Sequence, residues 1–213
     1  MKISKRLQAI ADMIPNRSRV VDVGCDHALL DIYLAMNKEC HCVAADINKN
    51  ALEQAKYNIK RFGVKNILTI QTDGISGIEV NEDDIVVISG MGATTIEHIL
   101  KSNEATNTLI ISAHNDWEFL RNVVVSLGYK IAEEKFIIDK NKGYIIIKFI
   151  RGDATYHDDD LVYGPCLKND LKYLEYSYGK LKEVYDKIPE NTEDKECKKK
   201  QLSELQLLIE KLI

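Results

Sequence analysis

The stretch Val20-Val21-Asp22-Val23-Gly24-Cys25-Asp26-His27-Ala28 decides how this chain folds. Three valines in four residues mark the end of a buried strand. Gly24 then permits a sharp turn with the backbone close to a ligand, and Ala28 opens a helical stretch whose first amides lack intrahelical partners. Strand, glycine turn and helix in that order form the first unit of a parallel α/β sheet that binds a nucleotide-like ligand at its carboxyl edge. In a dinucleotide site the turn reads Gly-x-Gly-x-x-Gly and aims its amides at a pyrophosphate. Here Asp26 stands where the second glycine would be. A carboxylate repels a pyrophosphate but attracts the ammonium of S-adenosylmethionine, so the substitution favours S-adenosylmethionine over NAD. The competing reading is an ordinary tight turn.

Outward from this turn, apolar runs of strand length alternate with stretches of helical period. Strands are expected at Arg19–Val23, His41–Asp46, Asn66–Gln71, Asp84–Ser89 and Thr108–Ala113, with helices near Ala28–Met36, Lys49–Phe62, Thr94–Lys101 and Asp116–Leu127. Lys130–Ile138 and Tyr144–Ile150, separated by the polar run Asp139–Gly143, read as a β-hairpin. Five parallel strands closed by an antiparallel hairpin is the plan of class I methyltransferases, a Rossmann-like α/β sheet. Nucleotide-binding dehydrogenases normally add a sixth parallel strand instead.

The pattern changes after Gly152, giving an expected boundary between a cofactor-binding domain, 1–152, and a helical domain, 153–213. Asp158-Asp159-Asp160 and Gly164-Pro165 mark the joint. Leu167, Leu171, Leu174, Tyr178, Leu181, Tyr185 and Ile188 then recur at spacings of four and three, and Leu202, Leu205, Ile209 and Leu212 continue the spacing after Pro189. An antiparallel helical coiled-coil hairpin explains this, with the stripe as its core.

Two acids and two glycine turns complete the expected cofactor site. Asp46 ends the second strand, where a carboxylate accepts both ribose hydroxyls, with Ile47 beside it. Asp73, followed by Gly74, lies past the third strand, placed for the adenine amine, although an Asp-Gly pair also reads as a plain turn. Gly90-Met91-Gly92 after the fourth strand opens the pocket floor toward an acceptor. The Asn/Asp-Pro-Pro-aromatic tetrad of many amino-group methyltransferases is absent here, which favours methylation of a ring nitrogen. His114 and Asn115, after the fifth strand, are candidates to stack on or hydrogen-bond an acceptor base, against a purely structural role.

Charge and cysteine usage narrow the class. With 29 basic and 33 acidic residues the chain is no polycation, so a nucleic acid would be held by local patches. The N-terminal segment supplies one, with Lys5, Arg6, Arg17 and Arg19 as candidate phosphate contacts, or else a solvated helix face. No apolar run reaches the ~20 residues of a membrane span, and the opening MKISKRLQAIADMIP has no signal-peptide pattern. Five cysteines without a CxxC pair suit a reduced, cytoplasmic protein. Cys40-His41-Cys42 matches no common zinc spacing and reads as strand-borne, so no metal is expected.

Ser4-Lys5-Arg6-Leu7, Asp22 to Ala28, Gly90-Met91-Gly92 and Ile96-Glu97-His98-Ile99-Leu100 resemble the bacterial tRNA adenine-N1-methyltransferases that act on position 22 of the D-arm. The resemblance runs over nearly the whole chain. It implies a class I methyltransferase domain followed by a coiled-coil domain, S-adenosyl-L-methionine as cofactor, tRNA as partner and no stable protein partner. The cofactor would rest on Asp22, Gly24, Asp26, His27, Asp46, Ile47, Asp73, Gly74, Gly90, Met91 and Gly92. Three places depart from the family. Leu29-Leu30-Asp31 replaces Tyr-Leu-Pro, Ala93 replaces a glycine, and Ser112-Ala113-His114 replaces Gln-Pro-Asn. The last two are expected on the acceptor side. Alternatives are a non-catalytic RNA-binding relative and a small-molecule or protein methyltransferase.

Overall fold

The computed structural model describes residues 1–101 and 106–213. The chain forms two compact units, Met1–Thr155 and Tyr156–Ile213. In the first, α1 (Lys5–Asp12) precedes β1 (Arg19–Val23), α2 (Leu29–Lys38), β2 (His41–Asp46), α3 (Lys49–Phe62), β3 (Ile67–Gln71), β4 (Ile85–Met91), α4 (Ala93–Lys101), β5 (Thr108–Ala113), α5 (Trp117–Ser126), β6 (Tyr129–Asp139) and β7 (Lys142–Arg151). One seven-stranded sheet runs in the order β3-β2-β1-β4-β5-β7-β6. The first five strands are parallel, while β7 pairs antiparallel with both β5 and β6.

Strands buried on both faces read as unbroken apolar runs, and Val20, Val21 and Val23 of β1 and Ile85 to Ile88 of β4 are all buried. Helix α1 begins at Ser4, whose hydroxyl accepts the Leu7 amide, and buries Ala9, Ile10 and Ala11. The order reverses between β1 and β4, which opens a crevice outside their carboxyl ends.

The hairpin turn is shorter than the sequence reading. Its strands extend to Asp139 and Lys142, leaving Lys140 and Asn141 as a two-residue loop with φ of 48° and 64°. Two positive-φ residues give the turn whose twist matches the flanking strands. Cys40 and Cys42 are buried, their thiols facing the backbone carbonyls of Pro15, Lys38 and Asp31, while His41 between them is exposed. Among the described residues no His, Cys, Asp and Glu cluster could hold a metal ion, and no helix is long and apolar enough to cross a membrane.

The second unit contains α6 (Asp158–Tyr163), α7 (Leu171–Tyr185) and α8 (Glu193–Glu210). Helices α7 and α8 pack on each other. The expected joint is itself helical: the Asp160 carboxylate accepts the His157 amide at 2.9 Å and starts α6. The apolar stripe overreaches both long helices. Leu167 is buried in the turn before α7, which Asp170 caps, and Ile188 and Leu212 fall beyond the helix ends.

Candidate active site

A cavity of about 300 Å³ lies at the carboxyl ends of β1 and β4. Asp22, Gly24, Asp26 and His27 line it from the first turn, Ser89 and Gly90 from β4, His114 from the end of β5 and Arg6 from α1. Leu7, Cys25, Leu29 and Leu30 supply its apolar wall.

The turn is held by its own backbone. The Gly24 and Cys25 amides both donate to the Ala45 carbonyl, at 2.8 and 3.0 Å, which pins the turn to β2. Gly24 has φ +76°, and a Cβ there would lie 2.3 Å from Met91 Cε. Asp26 and Ala28 also sit at positive φ, and Ala28 starts α2 with no side-chain cap. The first amides of α2 are thus left for a ligand. The Asp46 carboxylate spans the turn and the next helix: Oδ2 accepts the Asp26 amide at 3.1 Å and Oδ1 the Asn48 amide at 2.8 Å. Each oxygen keeps a second lone pair, so a ribose diol can still donate to it. Asp26 Oδ1 lies 3.5 Å from His27 Nδ1, and both side chains are exposed.

Of the expected cofactor residues, Asp46, Ile47, Asp73, Gly74, Met91 and Gly92 do not line this cavity; the first four lie at or just past the ends of β2 and β3, the next two strands in the sheet. Neighbouring strands, ~4.8 Å apart, thus carry Asp22 near the end of β1, Asp46 at the end of β2 and Asp73 two residues past β3. Asp73 also forms the turn that the Asp-Gly pair suggested: its carbonyl accepts the Ser76 amide, and Gly74 has φ +64°. Uncapped amides at α2 and acids carried by neighbouring strands at one edge fit S-adenosylmethionine. Its ammonium would meet Asp22 and Asp26, its ribose Asp46 and its adenine amine Asp73.

The acceptor side is narrower than the sequence suggested. Gly90, with φ +84°, faces Arg6 Nη1 and His114 Nε2, which would lie 3.7 and 3.9 Å from a Cβ built there. His114 is tied by its amide to the Met91 carbonyl at 2.8 Å. Desolvation, reinforced by Lys142 and Arg6, lowers its pKa and so favours the neutral imidazole. Asn115 is spent elsewhere: its Oδ1 accepts the Ala93 amide at 3.4 Å and abuts Gly92. Of the departures expected here, only His114 reaches the cavity. Ala93 and Ala113 are buried, and the Ser112 hydroxyl donates to the Ile145 carbonyl at 2.9 Å, bracing β5 against β7.

The basic segment is divided. Lys5 is exposed, whereas Arg6 turns into the cavity, its guanidinium 5.6 Å from the Tyr144 ring centre and its Nη1 buried without a hydrogen-bond partner. Arg17 pairs with Glu39 at 2.8 Å and Arg19 with buried Asp84. Both lie toward the amino end of β1, away from the pocket.

One member of the site was not legible in advance. Asp31, in the first turn of α2, is fully buried, and its carboxyl interacts with that of Asp22, which is itself 4% exposed. Burial pushes the Asp22 carboxyl up to about 7 and the Asp31 carboxyl well above its ordinary value. An acid in a helix's first turn ordinarily looks like a dipole partner in solvent, and that masked it.

Asp46→Ala should weaken S-adenosylhomocysteine binding by about 1.5–3 kcal/mol, the cost of leaving hydroxyl donors without their acceptor. Calorimetric titration measures it. Affinity equal to the unaltered protein would remove Asp46 from the ribose site.

Residues 3–147 match the family model of the methyltransferase domain. The chain is similar to the tRNA (adenine(22)-N(1))-methyltransferase of Bacillus subtilis strain 168, at 28% identity over 100% of this chain and 98% of that one. The structure of TrmK from M. capricolum in complex with S-adenosyl-homocysteine superimposes with a TM-score of 0.86 at 27% identity, each chain covered to 100%. A protein of the NADB-Rossmann superfamily from Streptococcus agalactiae shares the fold, with a TM-score of 0.88 at 24% identity over 98% of both chains.

Proposed function

This chain belongs to the methyltransferase-domain family, and from that premise we propose that it methylates tRNA at ring nitrogen 1 of adenine 22, with S-adenosylmethionine as donor. The observation that carries the reading is one cavity in which the Asp22–Ala28 turn meets the open floor at Gly90. Full-length similarity to an enzyme with that named activity supports the choice of base.

The cofactor would supply a methyl carbon made electrophilic by its sulfonium; transfer to the lone pair of adenine nitrogen 1 would break the methyl–sulfur bond, leave neutral S-adenosylhomocysteine and give a cationic adenine that loses a proton to solvent, so alignment matters more than a strong base. Asp22 and Asp26 hold the amino-acid end by charge. Asp46 and Asp73 hold ribose and adenine further along the edge. Gly90 leaves room for the acceptor ring, and His114, held toward its neutral form, can stack on it without opposing the positive charge the ring gains. Asn115 acts indirectly, by fixing the Gly92–Ala93 turn. A D-arm adenine is stacked or paired, so it must leave the stack to reach this floor. Arg6 is placed for a phosphate of the extruded nucleotide and Lys5 for one further out; Arg17 and Arg19 are occupied with acids.

Incubation of the protein with labelled S-adenosylmethionine and unmodified tRNA, followed by nucleoside analysis, should give 1-methyladenosine at position 22. A transcript with guanine in place of that adenine should then accept no methyl group. Transfer that survives this change, or none to either RNA, would overturn the assignment.

A further inference from the structure

Asp22 and Asp31 are two carboxyls without enough donors. Asp31 is fully buried in α2, and as a carboxylate it finds no strong hydrogen-bond partner for either oxygen. The Cys42 thiol beside it is a weak donor shared between the Asp31 backbone carbonyl, at 3.8 Å, and the Asp31 carboxyl. Two buried carboxylates in contact with no cation between them repel strongly, and one is expected to keep its proton. A proton on Asp31 resolves both problems: its O–H donates to Asp22 and its charge is gone. Asp22 is the member that reaches the cavity.

We propose that Asp31 is a positioning residue of the cofactor site, a permanently protonated acid that donates its O–H to the Asp22 carboxylate and so turns the other Asp22 oxygen toward the cofactor's ammonium. This rests on the reading of the cavity as an S-adenosylmethionine site. The shared proton stays on Asp31 when the cofactor binds; any proton released comes from Asp22, at pH values where Asp22 has gained one. The groups around the pair agree with the assignment. From α1, Arg6 favours a charged Asp22; from the end of β2, Asp46 opposes it; from the turn come Cys25 and Asp26, and from β2 Cys42, whose thiol burial keeps protonated. The Asp31 hydrogen bond lowers the Asp22 pKa against its burial, leaving it at about 7.

The sign follows. Above about 7 Asp22 is a carboxylate and accepts the ammonium; below it, Asp22 gains a proton and the attraction is lost. Affinity for S-adenosylhomocysteine should therefore fall by up to tenfold per pH unit on acidification through that value, as for any single titrating group. In Asp31→Leu the donor is gone, Asp22 protonates more readily, and the midpoint should move to higher pH with several-fold weaker binding at pH 7. In Asp31→Asn the amide still donates and cannot ionise, so the midpoint should stay.

The test is calorimetric titration of the full chain with S-adenosylhomocysteine across pH 5.5–9, a window set by this midpoint, together with the infrared carbonyl band of a protonated carboxyl at the alkaline end. The proposal stands if Leu shifts the midpoint upward, Asn restores it, and the band present in the unaltered protein is missing from Asp31→Asn. It is overturned if Leu leaves the midpoint in place, as a merely structural residue would, or if Asn lowers it, which would mean that Asp31 carries a charge. It also fails if the band is absent. Failure of the unaltered protein to bind S-adenosylhomocysteine at any pH would instead sink the cofactor assignment, with the infrared band still deciding the state of Asp31.

Discussion

Gly24→Ala should lose most of its affinity for S-adenosylhomocysteine while remaining folded. The backbone at Gly24 is left-handed, with φ +76°, and a Cβ there would overlap Met91 Cε at 2.3 Å. Met91 has a flexible end and can swing aside, so the clash alone is not decisive. The positive φ is: alanine there costs about 1–3 kcal/mol however Met91 moves. The chain can relieve that strain by rotating the turn, which breaks the paired amide bonds to Ala45 and withdraws the surface the ligand lies against. A loss of roughly tenfold to a hundredfold in affinity corresponds to the same energy. Gly77→Ala is the control, because Gly77 has φ +73° with nothing within 4 Å of the added carbon. Both variants should melt earlier, but only Gly24→Ala should bind weakly. Equal affinity in the two would mean that the turn tolerates a side chain and does not cradle a ligand.

The parts of this site that were legible in the sequence are those dictated by one residue's local chemistry. Three of the first five strands, β1, β2 and β5, have both limits where the sequence reading puts them, because a strand buried on both faces has no polar alternation to blur its limits. Gly24 was readable because few residues turn the backbone that way, and Asp46 because a strand's carboxyl end fixes where its side chain stands. What stayed hidden depends on packing between distant segments. Arg6 has the composition of a solvated helix face, and only the approach of Tyr144 and Gly90 shows that it faces the pocket. Asp31 lies nine residues after Asp22, and nothing in that spacing says that α2 folds back to set the two carboxyls together. Ser112 looked like an acceptor-side residue until its hydroxyl was seen to serve β7.

The remaining large effect lies beneath the acceptor wall. Arg121 of α5 and Glu134 of β6 form an ion pair at 2.8 Å with both side chains 0% exposed. Helix α5 follows His114 and Asn115 by a single residue, so this pair fixes the element from which the His114 loop hangs. Removing one partner of a buried pair leaves an uncompensated charge, and Glu134→Leu should destabilise the first unit by about 3–5 kcal/mol. Replacing both partners removes the charge as well, so Arg121→Met with Glu134→Leu should recover most of that loss. Urea unfolding of the three proteins measures it, the midpoint falling far for the single variant and little for the double. Cofactor affinity should change less than stability in either, since neither side chain lines the cavity. A double variant as unstable as the single one would mean that α5 is held by the geometry of the arginine itself, and that its charge is not what Glu134 is there to balance.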